Sequence, residues 1–258
     1  MDMTHPVNRR FVAACGVAVA FAALALSGCQ NGTSAPSDAI VRAFNADVCS
    51  TEPSISYATG ATDASFLSNV PYGSPTAYTG VQPSSTAPIY AEINGKSIST
   101  INAALNSNAN YTEAVIGECG ATGSLAPKLI QIQDNIPGAA LGTNVAVRVV
   151  NLAPSTNAAY QSYDLYNGST PVTQLSNVAY GGQSNNGTYY SISDSAGTPF
   201  DFVIYSHATG QPAPVSNASA LAALSLTAGQ PYTIFLYGTP DGTVTNGQIT
   251  AYVVNDVP

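Results

Sequence analysis

The chain has 258 residues and a formal net charge of −8 at pH 7, from 6 basic and 14 acidic side chains. That sign disfavours nucleic acid and anionic lipid head groups as partners, because both call for a basic surface. Only 8% of residues are charged, against about 25% in an average domain, so the surface is expected to consist mainly of Ser, Thr, Asn, Gln, Gly and Tyr.

The N-terminus points to export. Arg9 and Arg10 precede an uncharged run, Phe11 to Leu26, that ends in Leu26-Ser27-Gly28-Cys29. A basic start, a short apolar middle and small residues before a cleavage point describe a secretory signal. Sixteen residues fall short of the ~20 that a helix needs to cross a bilayer. The four residues at its end resemble the lipobox of bacterial lipoproteins. That resemblance implies cleavage after residue 28 and a diacylglycerol thioether on Cys29; an ordinary signal peptide with an incidental Cys is the alternative. Two or more acyl chains, at ~0.8 kcal/mol per buried methylene, make a durable anchor. Gln30 stands where an Asp would resemble an inner-membrane retention signal, which favours the outer membrane. Loss of residues 1–28 leaves 4 basic and 13 acidic residues, a net charge of −9.

Residues 29–38 are polar, small and Pro-containing, and read as a flexible tether. Two blocks follow, 39–138 and 144–258, that share landmarks in the same order. Val41-Arg42-Ala43-Phe44-Asn45 matches Val147-Arg148-Val149-Val150-Asn151. Ser68-Asn69-Val70-Pro71-Tyr72-Gly73 matches Ser176-Asn177-Val178-Ala179-Tyr180-Gly181, and Tyr111-Thr112-Glu113 matches Tyr232-Thr233-Ile234. Ile136-Pro137 and Val257-Pro258 close the blocks. At about 110 residues each, such blocks are large enough to hold separate cores.

The second block reads as strands near 145–151, 160–166, 172–178, 188–193, 199–205, 223–227, 231–237 and 248–255. Short runs of Val, Ile, Tyr and Phe alternate there with Gly, Pro, Asn and Asp, and Asn167-Gly168 is a hairpin-turn pair. Ala218–Leu226 and its counterpart Ile101–Ser107 fit a helical turn as well as a strand. The expected class is therefore all-β: two tandem antiparallel β-sandwiches, Greek-key and immunoglobulin-like in broad architecture.

Four cysteines reduce to two, because Cys15 leaves with the signal and Cys29 carries lipid. Outside the cytoplasm, Cys49 and Cys119 read as one disulfide, closing a loop of about 70 residues and contributing ~4 kcal/mol in the chain-entropy model. The bond needs their α-carbons within ~7 Å, so the strands before them must point the same way. An up-and-down alternation gives this for the first and seventh strands, which favours counting 223–227 and its counterpart as a strand.

Val147-Arg148-Val149-Val150-Asn151-Leu152-Ala153-Pro154, Tyr163-Asp164-Leu165-Tyr166-Asn167-Gly168, Val178-Ala179-Tyr180-Gly181 and Leu226 to Gly238 together resemble the domain-of-unknown-function 4397 family. The resemblance implies an exported, often tandem β-sandwich with no assigned chemistry. The first block departs from it, with Asp47-Val48-Cys49 in place of the Ala-Pro and Ser56-Tyr57-Ala58 lacking the Asp.

No catalytic motif is present: no G-x-S-x-G elbow, no H-E-x-x-H and no phosphate-cradling loop. His207 reads as a solvated turn residue. Asp194 with Asp201, and Glu113 with Glu118, read as solvated loop acids rather than a glycosidase pair. No metal or cofactor is expected. Arg42 and Arg148 hold equivalent places on apolar strands and are expected to pair with a carboxylate of their own domain, Asp164 in the second. Of fifteen tyrosines, Tyr180, Tyr189 and Tyr190 flank one Gly/Asn-rich loop and are the candidate ligand surface, for sugars or peptides; filling of strand positions is the alternative. The functional expectation is a lipid-anchored cell-envelope protein, a non-catalytic binding or structural module with a membrane contact through Cys29 and an envelope protein or glycan as partner. The alternatives are a subunit docking into a larger envelope assembly, or an envelope hydrolase acting on glycan or peptide.

Overall fold

The computed structural model describes residues 37–48, 54–58, 66–86, 88–93, 96–138, 141–193, 199–208, 221–239 and 249–257, all within one compact unit. The signal segment 1–28, Cys29, Cys49 and the turns at Asp194 and Asp241 lie outside the described residues. In the first block the strands are β1 (Ala39–Val48), β2 (Ser54–Ala58), β3 (Leu67–Pro71), β4 (Thr79–Val81), β5 (Pro88–Ile93), β6 (Lys96–Asn102), β7 (Asn110–Glu118) and β8 (Lys128–Gln133). In the second they are β9 (Asn144–Asn151), β10 (Ser162–Asn167), β11 (Thr170–Pro171), β12 (Val178–Ala179), β13 (Tyr190–Ser193), β14 (Phe202–Ser206), β15 (Pro231–Tyr237) and β16 (Thr250–Asn255).

Each block is a sandwich of two sheets. The first pairs a sheet ordered β4-β1-β7-β8 with one ordered β3-β2-β5-β6; the second pairs β13-β9-β15-β16 with a sheet in which β10 carries β11, β12 and β14. The all-β sandwich expectation is borne out, with one refinement. The sheets are mixed, since β1 runs parallel to β7 and β9 parallel to β15. The first and seventh strands do point the same way, as adjacent partners. The segment 223–227, expected as a strand, makes only an isolated bridge between Leu224 and Phe200. The stretch 172–178, expected as one strand, is broken by a single helical turn at Thr173–Leu175 and by Asn177, whose φ is 53°. A left-handed residue interrupts the pleat.

Three apolar layers separate four sheets. Val41, Ala43, Ile89, Leu105 and Val115 belong to the first sandwich's core; Val147, Val149, Leu165, Phe202 and Ile234 belong to the second's. A third layer, with Phe44, Ala114, Ile116, Ile132, Val150, Leu152 and Phe235, joins the two blocks. The inner sheets are thus covered on both faces, which is why β1, β7, β9 and β15 are buried almost without interruption. Parallel strands occur in such doubly covered sheets. β14 belongs to an outer sheet and alternates buried with half-buried, the period-two pattern of a strand with one wet face.

The repeat is visible in the backbone. Asn69 and Asn177 have φ of 54° and 53°, and Gly73 and Gly181 both have φ of 73°. The Gly73 N–H donates to the Asn45 carbonyl at 2.8 Å, and the Gly181 N–H to the Asn151 carbonyl at 2.8 Å. The Asn45 and Asn151 side-chain amides in turn donate to the carbonyls of Val70 and Val178.

Candidate functional site

Among the described residues, four buried charged side chains, Arg42, Arg148, Asp134 and Asp256, cluster between the two sandwiches. Arg42 on β1 and Arg148 on β9 point into the joining layer and are 1% and 0% exposed. Because both faces of their sheets are covered, neither guanidinium can reach water, and each must be neutralised inside the protein.

The arrangement is two-fold in pattern. Arg42 Nε donates to Thr112 Oγ1 at 2.8 Å, and Arg148 Nε donates to Thr233 Oγ1 at 2.8 Å. Thr112 Oγ1 donates to Asp134 Oδ2 at 2.7 Å, and Thr233 Oγ1 to Asp256 Oδ2 at 2.6 Å. Tyr78 and Tyr189 donate to the same two carboxylates at 2.7 and 2.8 Å. Their rings cover the guanidiniums, Tyr78 at 4.6 Å from Arg42 and Tyr189 at 4.9 Å from Arg148.

The charges then cross between blocks. Arg148 Nη2 donates to Asp134 Oδ1 of the first block. Arg42 Nη1 lies 2.7 Å from Asp256 Oδ1 of the second, a close ion contact without hydrogen-bond alignment. Arg148 Nη1 also donates to the Gln133 carbonyl across the boundary at 3.2 Å, and Asn135 bridges Thr188 through the backbone. Burial alone would lower the Arg42 pKa, but Asp134 and then Asp256 hold it above its ordinary value. Arg148 is raised likewise, burial being overcome by Asp134, Tyr189 and Asp256. Both arginines stay charged.

Arg42 also reaches a carboxylate of its own block, Nη2 lying 3.7 Å from Asp134 Oδ2, but the partner expected for Arg148 is corrected. Asp164 does not meet Arg148; it faces His207, whose Nδ1 lies 2.9 Å from Oδ1. His207 itself is exposed in a turn, as expected, with 45% of its side chain accessible. Tyr189, expected on a ligand surface, is 7% exposed and belongs to the clasp between blocks. Burial pushes its hydroxyl pKa up, with Arg148 opposing and Asp256 adding to the shift. Tyr180 is half-buried against the joining layer, with Lys128 of the first block 5.2 Å from its ring. Tyr190 points the other way, against the second core. The three tyrosines are therefore not brought together.

Glu113 also departs from expectation. It lies on β7, fully buried, with Oε1 accepting from Gln131 Nε2 at 2.7 Å and Oε2 without a hydrogen-bond partner. Burial pushes its pKa up to about 8, the Gln131 bond opposing and Asp134 adding. Its equivalent in the second block is Ile234, a core residue. Among the described residues, no group of three His, Cys, Asp or Glu side chains is placed to hold a metal ion.

Asp134, Asp256, Thr112, Thr233 and Tyr78 carry the clasp and were not singled out by the sequence reading. A signal was present: Asp134 precedes Asn135-Ile136-Pro137 and Asp256 precedes Val257-Pro258, so each block ends with an acid just before the matched Pro.

A shallow groove of about 530 Å³ lies on the second sandwich, lined by Asn167, Thr170, Pro171, Val172, Thr173, Gln174, Tyr190 and Ile192. Its lining comes from the end of β10, from β11 and the turn that follows it, and from β13. No family model matches the chain, and no curated protein sequence matches it.

Proposed function

We propose that this is a lipid-anchored cell-envelope protein, a non-catalytic binding or structural module held outside the cytoplasm by Cys29, in two domains akin to the domain-of-unknown-function 4397 family. The observation that carries the reading is the Leu26-Ser27-Gly28-Cys29 box at the end of an apolar run, directly ahead of a polar tether. The geometry supports the non-catalytic part: Arg42, Arg148, Asp134, Asp256, Tyr78 and Tyr189 are engaged with one another and shut away from any substrate.

An exported location agrees with a Cys49–Cys119 disulfide. Val48 is the register partner of Glu118 in the parallel β1–β7 pair, and each of these residues directly precedes one of the two cysteines. Such a bond ties together the ends of the two central strands of the first block.

The test is metabolic labelling with radioactive palmitate, followed by fractionation. The native protein should take up label and sediment with membranes, whereas Cys29→Ser should do neither. A Cys29→Ser variant that still sediments with membranes would overturn the anchor.

A further inference from the structure

The groove on the second sandwich has the make-up of a saccharide site. Its floor is apolar and aromatic, formed by the half-buried Val172, Tyr190 and Ile192, and its rim by the exposed Thr170, Thr173 and Gln174. Every lining side chain is uncharged. An aromatic ring covers the C–H face of a sugar, while hydroxyl and amide groups at the rim exchange hydrogen bonds with its hydroxyls. A charged ligand would find no counter-ion in the groove, and the net charge of −8 disfavours a polyanion further. At about 530 Å³ the groove falls within the ~300–1,000 Å³ range of small-molecule sites. Its openness to solvent suits part of a longer chain better than an engulfed monosaccharide.

In the pairing with its central strand, Tyr190 partners Val147 and Thr79 partners Val41. The first sandwich repeats the clasp, with Thr79 at the register position of the Tyr190 ring.

We infer that the groove lined by Tyr190, Ile192, Val172, Thr170, Thr173 and Gln174 binds a neutral glycan chain, with Tyr190 as its stacking platform. The inference deepens the binding role proposed above and rests on it. Calorimetric titration of the detergent-solubilised, lipidated protein tests it, with cellohexaose, chitohexaose and maltohexaose as probes and a sulfated oligosaccharide as the charged control. At least one neutral hexasaccharide should bind with a Kd below ~1 mM. Tyr190→Ala should weaken that binding about tenfold or more, Tyr190→Phe should retain it within about threefold, and the sulfated control should bind about tenfold less well. Thermal unfolding of both variants reports whether the fold survives. If Tyr190→Ala does not fold, Gln174→Ala on the exposed rim replaces it and should weaken binding about threefold or more. No binding to any of the three probes, binding unchanged by these substitutions, or binding of an extended peptide in their place would overturn the inference. Membrane sedimentation of the native protein and its loss in Cys29→Ser are read separately, so failure of the glycan site and failure of the anchor are distinguishable.

Discussion

Arg148 of the second sandwich donates its Nη2 hydrogen bond to Asp134 of the first, although Asp256 of its own block lies within the same cluster. Arg42 answers by contacting Asp256 at 2.7 Å. Each block thus supplies one cation and one anion to a buried exchange. With Arg42 also 3.7 Å from Asp134, three buried ion pairs form; such pairs contribute little net stability over an apolar replacement, because desolvation offsets their attraction. What they do is penalise every other docking of the two faces, since any shift leaves charges uncompensated. Asp134→Ala removes the carboxylate that accepts from Arg148 and lies 3.7 Å from Arg42 Nη2, strands buried positive charge, and should cost about 3–5 kcal/mol in denaturant unfolding. A loss under about 1 kcal/mol would mean the cluster is hydrated.

Gly73 and Gly181 offer a matched comparison. Both have φ of 73°, so Ala at either incurs the left-handed penalty of about 1–2 kcal/mol. A β-carbon at Gly181 would sit 3.6 Å from Ile116 Cδ1, whereas one at Gly73 would lie 2.5 Å from the Tyr237 ring of the other block. Gly73→Ala should therefore destabilise by at least about 1 kcal/mol more than Gly181→Ala. Equal losses would show that the Tyr237 ring moves aside without cost.

Strand positions in the second block other than 172–178 and 223–227 were legible because β-branched and aromatic runs alternate with turn residues; the hairpin is there, but its loop is Gly168-Ser169, with Asn167 paired to Thr170 as the last residue of β10. The equivalence of Arg42 and Arg148 was legible as well. Their partners were not. Arg42's close contact, Asp256, lies 214 residues further along the chain, and Arg148's, Asp134, lies 14 residues back across the block boundary; nothing local distinguishes an acid that folds into an interface from one in a solvated turn. Glu113 shows the same limit: by its residue type it reads as a solvated loop acid, and only its place on β7, in a sheet covered on both faces, makes the position a core site.

That buried Glu113 gives the fold a pH dependence. Burial pushes its pKa up to about 8 from the ordinary carboxylate value of 4.5, so the folded state keeps the proton over a range where the unfolded chain has lost it. Stability contributed by protonated Glu113 is complete below about pH 4.5 and declines as pH rises towards 8. At about 1.4 kcal/mol per unit, the decline amounts to a few kcal/mol. Glu113→Ile, which installs the residue found at Ile234, should raise stability at pH 8.5 and flatten this slope. Urea unfolding at pH 5 and pH 8.5 checks it; a native protein with the opposite slope over this window would contradict the assignment.

The crossed arginines make two sandwiches behave as one body, and scanning calorimetry tests this most directly. The native protein should unfold in a single transition whose calorimetric and van't Hoff enthalpies agree, and Arg148→Met should resolve two. Two independent transitions in the native protein would contradict the account.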